Sequence, residues 1–294
     1  MLWPSHDYVK FARIARTHGV GPVLVFWYDL LIRVMQRAHS QIVILTVYFL
    51  FAAMAGPSAF GRGSATATVS PPIVIGFVGG YVKHDNAIHS PVQLAAHLRS
   101  EYPSGVHIEV FENHRGTQAR AQVLRLLDAD HDGTLSAAEK RQARIIIYGH
   151  SWGASEALEL ARSLGKQSVP VLLTIQVDSI AKHGEDDSVV PANVRQAVNF
   201  YQPHGLLHGR SKIRAADPAS TRIIGNFRLD YRNHPVECLR YPWWDRYVAR
   251  PHTEIECDPV VWNQVESFIR SSLPAIAPSA AVKNVANQEG NKQP

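Results

Sequence analysis

Residues 144–164 read RIIIYGHSWGASEALELARSL, from Arg144 to Leu164. The first five form an apolar, β-branched run of strand length, and the last eleven repeat apolar residues at helical spacing. Between them stands Gly149-His150-Ser151-Trp152-Gly153, a G-x-S-x-G turn with a strand before it and a helix after it. A turn this sharp brings strand and helix so close that a side chain two residues either side of the serine would collide with them. It also lifts the serine hydroxyl to a helix N-terminus, where partial positive charge favours a developing anion.

The same alternation continues in both directions. Strand patterns fall at Ile73–Val78, His107–Phe111, Arg144–Tyr148, Val169–Val177, Val194–Phe200 and Arg222–Phe227. Helical patterns fall at Pro91–Ser100, Gln118–Leu127, Ala154–Leu164 and Pro259–Ser271, with a shorter one at Ala137–Ala143. Most of the strands are nearly continuous in apolar character, as strands covered on both faces should be. The expected fold is therefore α/β, a three-layer sandwich around a mostly parallel sheet. Residues 56–72 are small, polar and end in two prolines, a linker by composition, and residues 274–294 have the composition of a disordered tail.

With the elbow in that setting, the segment from Pro72 to Leu273 resembles the α/β-hydrolase superfamily, in a short six-stranded version similar to small lipases and cutinase-like esterases. The resemblance makes Ser151 the nucleophile and places an acid and then a histidine after it. Asp178 ends the strand that follows the elbow, which makes it the first candidate for the acid; Asp186 and Asp187 are its rivals. His252, just ahead of the last helical pattern, is the first candidate for the base, in a loop; His183, His204, His208 and His234 also follow Asp178. The glycine-rich end of the first strand, Gly76 to Tyr81, would form the oxyanion loop, with Gly80 or Tyr81 donating together with the N–H of Trp152. It lacks the HGGG form of many esterases. Trp152, Tyr201, Trp243 and Trp244 are candidates for an apolar acyl site.

A second motif stands apart from the first. Asp128 to Glu139 (DADHDGTLSAAE) matches the twelve-residue EF-hand calcium loop. Asp128, Asp130 and Asp132 supply oxygens at positions 1, 3 and 5, and Gly133 permits the turn at 6. Thr134 offers a backbone carbonyl, Ser136 a water-mediated contact, and Glu139 two oxygens at position 12. A single such loop, lodged inside the hydrolase pattern, is expected to be a structural calcium clip.

Composition bounds the rest. With 294 residues, 46% hydrophobic and 19% charged, the chain is ordinary globular protein, not a collagenous, disordered or disulfide-dense one. A net charge of +5 without a Lys or Arg run longer than two is too diffuse for a nucleic-acid footprint. Ile42 to Ala55 is uncharged, preceded by Arg37 and His39, and closes on Ala53-Met54-Ala55. Residues 1–55 therefore read as an extension and signal peptide, with Met35 a possible start, or alternatively as a membrane anchor that includes Val20–Leu31. Either places the remainder outside the cytoplasm, where Cys238 and Cys257 would pair as a disulfide. The function expected is an extracytoplasmic serine hydrolase cleaving a carboxylic ester or lipid. The alternatives are a non-catalytic calcium-binding protein on the same scaffold, or a peptidase, amidase or thioesterase using the same triad.

Overall fold

The computed structural model describes residues 70–274. The apolar runs form strands β1 (Ile73–Val78), β2 (His107–Glu112), β3 (Ile145–His150), β4 (Val171–Val177), β6 (Val194–Tyr201) and β8 (Arg222–Arg228). Two short strands, β5 (Val189–Val190) and β7 (Arg214–Ala215), pair with each other in a separate ribbon. The helices are α1 (Ser90–Glu101), α2 (Gly116–Leu127), α3 (Ala137–Gln142), α4 (Trp152–Gly165), α5 (Trp243–Val248), α6 (Arg250–Cys257) and α7 (Pro259–Ser272). The main sheet runs β2-β1-β3-β4-β6-β8, and every pairing in it is parallel.

Alternation along the strands builds two cores. Ile146 and Tyr148 of β3 join Leu94, Leu98, Trp262 and Val265 under α1 and α7. Ile145 and Ile147 point the other way, into a core with Val123, Leu127, Leu158 and Leu164 under α2 and α4. Both faces of the sheet are thus dry, which is why its strands could be read as continuous apolar runs. The fold is an α/β sandwich of three layers.

Several expectations shift. Val169 does not begin β4: its N–H closes the end of α4 on Leu164 O at 3.1 Å, and the strand starts at Val171. His252 lies in helix α6, not in a loop, and Tyr247 and its neighbours form α5, which no periodic pattern announced. Cys238 and Cys257 are joined by a disulfide, with Cα atoms 5.9 Å apart. Among the described residues no helix is long and apolar enough to cross a membrane. The signal-peptide and linker assignments up to residue 69, and the tail beyond residue 274, lie outside the described residues.

Candidate active site

Ser151 is the N-cap of α4 and holds φ +57° and ψ −128°, a backbone region side chains avoid at a cost of about 1–3 kcal/mol. The surroundings over-determine it. Its N–H donates to Val177 O at 3.0 Å, and its carbonyl accepts from Ala154 at 3.0 Å and from Ile180 at 3.3 Å. A Cβ at Gly149 would lie 2.4 Å from Gly153 O, and one at Gly153 would lie 2.5 Å from Phe77 O. Only glycine fits either position, so the spacing of the motif follows from backbone crowding.

The parallel register sets His150 of β3 beside Val177 of β4, and Val177 beside Phe200 of β6. Residues just past these carboxyl ends therefore meet. Asp178, fully buried and itself at φ +45°, accepts from His252 Nδ1 at 2.6 Å through Oδ2. Gln202 Nε2 donates to the same oxygen at 2.8 Å; Oδ1 takes the N–H of Gly209 at 2.7 Å and of Gln202 at 3.2 Å. Four donors around one carboxylate keep its charge satisfied in the absence of water. Asp187 is equally buried but bonds Ser179 Oγ at 2.7 Å and Arg210 Nε at 2.8 Å, and Asp186 caps Ser188 on the surface. His183, His208 and His234 are exposed, and His204 stands 3.5 Å from Asp230. Of the five histidines after Asp178, it is His252 that the fold brings to Asp178.

Ser151 and His252 line one cavity of about 760 Å³, together with Gly79, Gly80, Tyr81, Trp152, Ile180, Leu207 and Trp244. Ser151 Oγ and His252 are not hydrogen-bonded to each other, a gap that commonly tightens only when substrate binds. The turn Gly79–Val82 is closed by Val82 N–H on Gly79 O at 3.3 Å, with Gly80 at φ +51°. Asn113 Nδ2 holds the Gly80 carbonyl, so the trans peptide turns the Tyr81 N–H the opposite way. Neither that N–H nor that of Trp152 finds an acceptor among the described residues. Trp152 and Trp244 line the cavity; Tyr201 and Trp243 do not.

A further group in the same cavity had no sequence signal. Glu256 Oε1 accepts from His89 Nδ1 at 2.8 Å, and Oε2 lies 3.5 Å from His150 Nδ1. The His150 ring packs on the His252 ring with centroids 4.5 Å apart. Burial, only partly countered by Glu256, drives the His150 pKa down to about 4, so the ring is neutral. Burial would raise the Glu256 carboxyl, but the hydrogen bond from His89 works against it and the carboxyl stays below the ordinary range. His89 and Glu256 are 167 positions apart in the chain, beyond any local pattern.

The acidic loop between α2 and α3 is a different kind of site. Carboxylate oxygens of Asp128, Asp130 and Glu139 lie within 4.8 Å of one another, close enough for one cation. Asp128 accepts from Asp132 N–H at 3.2 Å and Gly133 N–H at 3.0 Å, with Gly133 at φ +83°. Asp132 is turned onto Thr134, and Ser136 caps α3 in a reciprocal pair with Glu139. The Ser136 hydroxyl and N–H, with the Ala129 N–H, lower the Glu139 pKa. Three hard oxygens at one point suit calcium, and Asp132, bonded to Thr134, is not one of the three.

No protein-family model matches the chain, and no curated protein matches it. Among solved structures it is similar to a thermostable esterase from Pseudomonas putida (11% identity, 72% of this chain and 77% of that one, TM-score 0.38). It is also similar to a cutinase-like protein from Cryptococcus sp. (13%, 72% and 100%, TM-score 0.38) and to an acetyl xylan esterase (12%, 69% and 99%, TM-score 0.32). Identities this low say nothing about substrate.

Proposed function

We propose that this chain is a serine hydrolase that cleaves a carboxylic ester with an apolar acyl or alcohol part, acting outside the cytoplasm. The observation that carries the reading is the strained Ser151 at the cavity that is also lined by His252, itself bonded to the buried Asp178. Ser151 Oγ attacks the ester carbonyl as His252 Nε2 takes its proton. Asp178 fixes the tautomer through Nδ1 and stabilises the imidazolium. The N–H groups of Tyr81 and Trp152, with Gly80 shaping the turn, are the donors offered to the oxyanion. His252 then returns the proton to the leaving alkoxide, and water repeats the cycle on the acyl-enzyme. Trp152, Ile180, Leu207 and Trp244 favour an apolar substrate. The disulfide supports an oxidising compartment.

Calcium belongs to the reading as a structural ion, held by Asp128, Asp130 and Glu139, with Asp132, Thr134 and Ser136 completing the shell once it is bound. It would clamp the connection between α2 and the strand that leads into Ser151, and it takes no part in the chemistry. Hydrolysis of p-nitrophenyl esters from acetate to decanoate by the full chain and by S151A tests the function. The variant should lose several orders of magnitude in kcat. Retained hydrolysis in purified S151A would refute it.

A further inference from the structure

We propose that Glu256 is a second supporting carboxylate of the site, a positioning residue that favours the cationic form of His252 from beyond the His150 ring that packs on it. The inference rests on His252 being the general base. His252 and Glu256 stand four residues apart on α6, hence on one face of the helix, a turn from each other. The Cys238–Cys257 disulfide ties down the helix end immediately after Glu256, and Ser90 Oγ donates to the Glu256 carbonyl at 2.5 Å. His252 and Glu256 are buried, at 7% and 6% exposure, so the field between them is weakly screened.

The bridge between them is His150. Its Nδ1 lies 3.5 Å from Glu256 Oε2 and its ring packs on that of His252, while its Nε2 is buried without a partner. The proton of the neutral ring therefore belongs on Nδ1, toward the carboxylate. A neutral His150 neither cancels the Glu256 charge nor repels a cation on His252. A buried carboxylate that served only to hold His89 would not need its second oxygen 3.5 Å from the ring that packs on His252. Here it has one there, and each time His252 takes the serine proton it gains a second anion nearby. The other groups facing His252 and Glu256 are Asp178 at the end of β4, His89 before α1, Asp245 on α5, Tyr241, and Lys83 across the cavity. Of these only Asp178 bonds His252 directly.

E256Q keeps the size and acceptor of the side chain and removes the charge. The His252 titration midpoint, followed by NMR of the full chain, should fall by about one pH unit, as expected for loss of an opposite charge at close range. The acidic limb of kcat/KM should move down by the same amount and kcat on the plateau should drop about tenfold, with KM little changed. E256D, which keeps the charge one methylene further away, should recover most of both. A His252 midpoint and acidic limb identical to the parent in E256Q would overturn the proposal and leave Glu256 a purely structural residue. If E256Q does not fold, E256D must still show a smaller downward shift, and its absence would overturn the proposal equally. Failure of the catalytic reading shows separately: S151A would stay active, while the NMR midpoints would still report on Glu256.

Discussion

The two acidic centres of this protein are built in opposite ways. Asp178 is fully buried and takes donors from positions 202, 209 and 252, so three distant segments converge on one carboxylate. Asp128, Asp130 and Glu139 lie within one twelve-residue loop and are held by that loop's own N–H groups. The first charge is complete without any ligand; the second set leaves oxygens crowded together, which a cation would relieve. The difference separates two jobs. A preorganised anion can steer a histidine because nothing around it must rearrange, whereas a cluster of carboxylates without a counter-charge can add stability only when something binds it.

The largest test of this contrast is at Asp178. D178N removes the charge and offers His252 the wrong tautomer partner, and steady-state kcat should fall by about 10⁴-fold. D187N should leave kcat within severalfold and instead lower stability by about 1–3 kcal/mol, because it breaks the bonds to Ser179 and Arg210. Denaturant titration and kinetics on both variants check the pair. The reverse ranking in kcat would move the acid to Asp187.

Acid should damage the buried centre next. His150 is neutral when folded with a pKa near 4, whereas unfolded histidine titrates near about 6.5. The unfolded chain binds the extra proton first, so stability is lost as pH falls from about 6.5 to about 4, on the order of 3 kcal/mol. Glu256, lowered with the help of its hydrogen bond from His89, adds a loss of the same sign at more acidic pH. Unfolding free energy measured across that range should slope steeply in the parent and less in H150Q. A flat profile in the parent would mean that His150 is solvated.

The smallest effect belongs to the loop. Calcium at a hundredfold excess over its Kd should add about 2.7 kcal/mol of stability, seen as a rise in Tm over chelator, and E139Q should remove most of it. Hydrolysis by the folded enzyme should change little. Equal Tm values in calcium and chelator, with no heat on isothermal titration, would reduce Asp128 to Glu139 to an acidic turn.

How much could be read in advance follows the same division. The elbow and the acidic loop are local: glycine spacing, flanking periodicity and carboxylate spacing all lie within about twenty residues. Asp178 and His252 could be proposed from their places relative to a strand end and a final helix. The polar octapeptide of α6, with Pro251 in its first turn, carries no apolar period, so its helix was invisible. Gln202, Gly209, Asn113 and the His89–Glu256 pair act through contacts between residues 24 to 167 positions apart. Such partners are chosen by the sheet order and not by neighbours in the chain.

The central claim is that the fold has prepared Ser151 as a nucleophile, and a fluorophosphonate adduct tests it most directly. Intact-mass analysis and peptide mapping of the full chain should show one adduct, on Ser151, absent from S151A and formed far more slowly in D178N. No adduct on the parent, or one on another residue that persists in S151A, would contradict the account.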